Sequence, residues 1–116
     1  YYTSNNFFRG RQTTDDDGVV WFSSCFPGWY ASRAVHIHFK VIAGNRTWVT
    51  SQVCFDDELC DSILENEPVY KTHGTPDTHN YDDTVFPSSG YEEYMMDTSR
   101  MSDGSMLAWK TLMISA

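Results

Sequence analysis

The chain has 116 residues, 41% of them apolar and 16% aromatic, so it has the material for one modest core and is not a disordered chain. Sixteen acidic residues against eight basic ones give a net charge of -8, which repels phosphate backbones and excludes nucleic acid as a natural partner. No apolar run approaches the roughly 18 residues of a membrane span.

In chain order, Asp15-Asp16-Asp17-Gly18 reads as a turn, because Asp and Gly tolerate the left-handed backbone that a reversal needs. The acidic run lacks the ligand spacing of a Ca2+-binding EF-hand loop, and a turn explains it. Val19 to Phe26, V-V-W-F-S-S-C-F, is expected to be a strand that Pro27-Gly28 breaks. Ala34 to Val41 reads A-V-H-I-H-F-K-V. Val35, Ile37, Phe39 and Val41 alternate with His36, His38 and Lys40, the signature of a half-buried strand. Ala43-Gly44-Asn45-Arg46 forms the next turn and Thr47 to Phe55 the next strand, so the connections predict antiparallel pairing. Asp56 to Asn66 is the helix candidate. Its acidic start suits the positive end of a helix dipole, Leu59, Ile63 and Leu64 share a face, and Pro68 ends it. A long polar loop follows from Lys71 to Gly90, then late strands over Tyr91 to Met96 and Ser105 to Ile114.

The two histidines raise the functional question. Alternate strand residues share a face about 6.5–7 Å apart, so His36 and His38 can converge on one metal ion or simply sit on a wet face. Just upstream, Pro27-Gly28 turns the chain so that Tyr30 and Arg33 can crowd the same pocket. Two neutral imidazoles plus a phenolate form a donor set that suits ferric iron better than zinc.

Here the sequence resembles a known family. F-x-R-G-x-Q-x-T-D-x-D-G-V-V-x-F, then F-P-G-W-Y-x-x-R-A-V-H-I-H-F-K-V, then S-Q-V-C-F-D-D-E-L and the L-A-W ending at Trp109, are similar to the intradiol ring-cleavage dioxygenases. The small secreted members are the most similar, and the likeness covers almost the whole chain. The resemblance implies an all-β fold, an antiparallel β-sandwich with one short helix and long loops, formed by residues 1–116 as a single domain. It implies non-haem Fe(III) as cofactor, with Tyr30, His36 and His38 as ligands. Tyr30 matches the tyrosinate that lets go when substrate chelates the metal, Arg33 the arginine beside the reacting ring carbons, and Gln52 a glutamine that shapes the pocket. The implied reaction inserts O2 between the two hydroxyl-bearing carbons of a small aromatic diol, a catechol, to give a muconate-type diacid. The family uses a second tyrosinate well upstream of the first; Tyr1 and Tyr2 sit several residues too close for that match, so the ligand is expected before Tyr1, on a natural protein longer than this chain at its N-terminus, with Tyr1 or Tyr2 as the alternative. Activity is expected to fall below about pH 6.5, where imidazole protonates.

Other readings are blander. His73 and His79, with Asp77 and Asp82 or Asp83, would make a second metal site, but a solvated loop at the site's mouth explains them better. Trp21, Trp29, Trp48 and Trp109 are read as packing residues rather than a carbohydrate face, with Trp29 also a candidate for lining the pocket. Met95, Met96, Met101, Met106 and Met113 are read as core fillers. Cys25, Cys54 and Cys60 leave a disulfide plus a thiol, or inert buried thiols, both open. Few lysines and the sequon Asn45-Arg46-Thr47 suit a secreted protein. Self-association into a homo-oligomer is left open. The rival readings are a non-enzymatic extracellular binding or structural protein on the same fold, and a zinc hydrolase.

Overall fold

The computed structural model describes residues 10–29, 31–68, 70, 74 and 76–114. Among these residues the architecture is all-β with one helix. Strands β1 (His36–Ala43) and β2 (Arg46–Cys54) form one antiparallel pair, and β3 (Asp97–Arg100) and β4 (Met106–Trp109) form another. Helix α1 (Asp57–Asn66) follows β2 directly, and short 3-10 turns lie at Asn80–Asp82 and Tyr91–Tyr94.

The β1–β2 hairpin carries the candidate site, and its register decides which side chains meet. The two-residue turn Gly44-Asn45 joins Ala43 to its partner Arg46, with Gly44 at φ 62°, a left-handed value that glycine adopts without strain. His36 faces Cys54, His38 faces Gln52 and Lys40 faces Thr50, so these six share one face. Between Val41 and Ile42 the register slips by one, which leaves Trp48 as the extra residue of a bulge. Its indole lies 4.3 Å from the Arg46 guanidinium.

Burial runs along this hairpin rather than across it. Val35, Val53, Cys54 and Phe55 are buried at the end that meets α1, whereas Ile42, Ala43 and Asn45 at the turn end are exposed. Consequently the apolar face expected from Val35, Ile37, Phe39 and Val41 is only partly covered: Ile37 is 40% exposed, while His36 on the opposite face is 9% exposed. The core cluster joins Val35 and Phe55 to Cys60 and Leu64 of α1, with Phe26, Trp29, Tyr70, Met96 and Ala108 packed against it.

The helix obeys its sequence signals. The Asp56 carboxylate caps it by accepting from the Leu59 amide at 3.1 Å, and Asp57 and Glu58 occupy the positive first turn. Cys60, Ile63 and Leu64 are buried, Leu59 only half. Helical bonding ends at the Glu67 amide, bound to the Ile63 carbonyl, one residue before Pro68.

Three expected strands are corrected. Val19 to Phe26 has no regular structure; a strand needs a ladder partner for its backbone groups, and none is paired with it among the described residues. Val19, Val20, Trp21 and Phe22 are exposed, while Phe26 is pinned by its ring 5.0 Å from Phe55 and by the Tyr70 hydroxyl donating to its carbonyl at 2.6 Å. Tyr91 to Tyr94 is a 3-10 turn entered through the left-handed Gly90; the chain becomes extended only at Met95, which bridges Cys54, and at β3. Only Met106 to Trp109 of the last expected strand is paired. The Asp15 turn is as expected: the Asp15 carboxylate accepts from the Asp17 and Val19 amides, and Gly18 takes φ 78°. Cys25 is an exposed free thiol and Cys54 and Cys60 are buried free thiols. Burial, reinforced by Asp57, pushes the Cys54 thiol up to about 12 and Cys60 higher still, which makes both inert. Trp29 packs on the core, whereas Trp21, Trp109, Met101 and Met113 are exposed rather than core.

Candidate metal and substrate site

The site begins where the chain enters β1. Ser32 holds φ 72°, a left-handed backbone that a non-glycine residue adopts at some cost, and the Asp77 carboxylate secures it by accepting the Ser32 amide at 3.1 Å. This bend delivers Arg33 and Ala34 to the face of His36 and His38.

The His36 ring is fixed by its own strand entry. Its Nδ1 lies 2.6 Å from the Ala34 carbonyl, which can only accept, so Nδ1 carries the proton and Nε2 presents a lone pair. Burial, and then the charge of Arg33, push His36 below the ordinary imidazole value, against the pull of the Ala34 carbonyl. Its Nε2 sits 3.1 Å from Nε2 of His38, and the two rings meet edge to face with centroids 4.8 Å apart. Two nitrogens bound at about 2.1 Å to one first-row ion, at roughly right angles, stand about 3 Å apart. The pair therefore fits two ligand positions of a single metal ion.

Arg33 stands beside this pair. Its Nε donates to Asp83 Oδ1 at 2.9 Å, its Nη2 to Gln52 Oε1 at 2.6 Å, and its Nη1 points at His36 Nε2 from 3.4 Å. Gln52 is present because register places it opposite His38. The structure thus brings together Arg33, His36, His38 and Gln52. Tyr30, like Tyr1, Tyr2 and His73, lies outside the described residues. Among the described residues no group of three or more His, Cys, Asp or Glu side chains is arranged to hold a metal.

The described part of the polar loop, residues 76–90, is a bracket rather than a solvated tether. His79 pairs with Asp61 of α1 at 3.0 Å, Asp57 accepts the Asn80 amide at 3.0 Å, and the buried Asn80 amide group donates to the Phe55 carbonyl at 2.7 Å. His79, Asp77 and Asp82 are therefore spoken for by backbone and α1 rather than gathered at a second metal site. Asp83, grouped in the sequence with that loop, instead reaches Arg33. Its only sequence signal was its position in a long loop among many carboxylates, which does not single it out.

No protein-family profile and no curated protein sequence matches the chain. Among solved structures it is similar to an intradiol ring-cleavage dioxygenase from Tetranychus urticae, at 24% identity over 90% of this chain, with a TM-score of 0.80. The chain spans about half, 52%, of that protein's length. The all-β fold is therefore shared with that dioxygenase.

Proposed function

We propose that the chain is an Fe(III)-dependent intradiol ring-cleavage dioxygenase acting on a catechol-type diol. The observation that carries this reading is the pair of Nε2 atoms 3.1 Å apart with the Arg33 and Gln52 side chains alongside. His36 and His38 would hold the ion through those nitrogens, together with the Tyr30 phenolate. When bound, ferric iron supplies the Lewis acidity that favours a deprotonated diol. In the net reaction the carbon–carbon bond between the hydroxyl-bearing carbons breaks, and both atoms of O2 enter the resulting diacid.

The protein's own groups have defined tasks. The His36 imidazole keeps its Nε2 lone pair available because burial disfavours its charged form and its Nδ1 proton is directed at the Ala34 carbonyl. The Arg33 guanidinium offers N–H groups to negative charge developing on the ring. Gln52 turns its carbonyl oxygen to Arg33 and so fixes one arm of the guanidinium. Tyr30 takes a proton from the substrate hydroxyl.

Oxygen uptake with catechol and with protocatechuate, on protein of known iron content, tests the proposal. Stoichiometric uptake with formation of an ultraviolet-absorbing diacid is expected. Iron-loaded protein that consumes no O2 with either diol would leave the non-enzymatic binding protein as the better reading.

A further inference from the structure

We propose that Asp83 is a positioning residue, whose single carboxylate sets the Arg33 fork against His36 and Gln52 and holds the Phe86 wall beside them. The consequence for catalysis rests on the ring-cleavage reading; the geometry does not.

The Asp83 side chain has no exposed surface. A buried carboxylate must fill its acceptor sites, and here four N–H groups do so. Oδ1 accepts from Arg33 Nε at 2.9 Å and from the Ala34 amide at 2.8 Å. Oδ2 accepts from the Val85 and Phe86 amides at 2.9 and 3.0 Å. Burial alone would raise this carboxyl, but the Arg33 guanidinium and the three backbone amides outweigh it and hold it down at about 2.

The two oxygens face different parts of the site. Oδ1 grips the Nε edge of a rigid planar fork whose other arms meet Gln52 and His36. Oδ2 fixes the backbone of Phe86, whose ring centre lies 5.8 Å from Arg33 Cζ. Phe86 and Gln52 line a cleft of about 230 Å³ together with Thr50, Ser51, Val85 and Tyr94. A cavity of about 150 Å³ suffices for a benzene ring, so this cleft, lined by two of the side chains that meet Arg33, has room for one aromatic ring. One carboxylate thereby ties the cation to a residue that walls this cleft.

A merely structural Asp83 would hold the 83–86 turn and nothing more. Asp83→Asn separates the cases, because an amide retains one acceptor oxygen for the loop amides but loses the charge that grips Arg33. Two measurements on the intact chain decide. In the wild-type protein the Arg33 Nε–H, followed by nitrogen-15 NMR, is expected to exchange at least tenfold more slowly than that of the exposed Arg11; in Asp83→Asn that protection should vanish. In iron-loaded protein Asp83→Asn should lower kcat tenfold to a hundredfold, with KM and iron content changed less than threefold. The same change made on Arg33→Lys should cost less than threefold, and Asp83→Glu should regain part of the rate. Wild-type Arg33 exchanging as fast as Arg11, or equal loss of kcat in both backgrounds, would overturn the proposal. Absence of ring cleavage in wild type would sink the enzyme reading, yet the exchange measurement, which needs no variant that folds, would still decide for or against the clamp.

Discussion

His36 and His79 are the same residue prepared in opposite ways. His36 donates Nδ1–H to a backbone carbonyl, is nearly buried, and is pushed below the ordinary imidazole value by that burial and by Arg33. His79 is partly exposed, yet its partner Asp61, helped by Asp57 and Asp82, outweighs desolvation and raises it. One ring is biased toward the neutral form, with a lone pair to offer; the other is biased toward the charged form, as a clasp between loop and helix. An imidazole's neighbours, not its presence, decide whether it is a ligand or an ion-pair partner.

The largest effect that would test this contrast is on metal binding. His36→Ala or His38→Ala should abolish stoichiometric iron, read by metal analysis, whereas His79→Ala should leave it intact; full iron in either β1 variant would dissolve the distinction. Tyr30→Phe should remove the visible tyrosinate-to-iron absorption. Next, Arg33→Ala should keep the iron and lower kcat about 10²- to 10³-fold, the scale of a lost charge-stabilising donor; an unchanged rate would confine the guanidinium to a structural part. Leu64→Ala should cost about 3 kcal/mol in urea unfolding, because it opens a cavity in the core cluster that α1 shares with Val35 and Phe55 and so loosens both settings.

The smallest effect has a sign. His79 is raised in the folded state, so its contribution is fully present below about pH 6.5, the unfolded imidazole value, and is lost as pH rises through the higher folded value. The clasp is partly exposed and worth about 0.5 kcal/mol at most. The melting temperature of wild type should therefore exceed that of His79→Ala by more at pH 6 than at pH 8.5. A gap that widens with pH would show that His79 is not charged in this pair.

Elements whose signals are local were legible in the sequence. The Asp56 cap, the acidic first turn and Pro68 bound α1 to within a residue, and Gly44-Asn45 placed the hairpin turn. The period of two around His36 and His38 announced a strand with both imidazoles on one face, and the resemblance nominated Arg33 and Gln52. Val19 to Phe26 and Tyr91 to Tyr94 misled for a shared reason. Aromatic and β-branched residues favour a pleated surface only where a neighbouring strand supplies hydrogen bonds, and period and composition do not reveal that neighbour.

Local residue patterns specify the helix, the hairpin, the shared face of the imidazoles and the acidic surface, because each follows from residues a few positions apart. The tertiary structure alone decided that burial falls along the hairpin, so that His36 is covered while Ile37 is not, and that Asp83, fifty residues on, lies against Arg33. Those outcomes depend on which distant groups share one low-dielectric space, and spacing along a chain does not encode that distance.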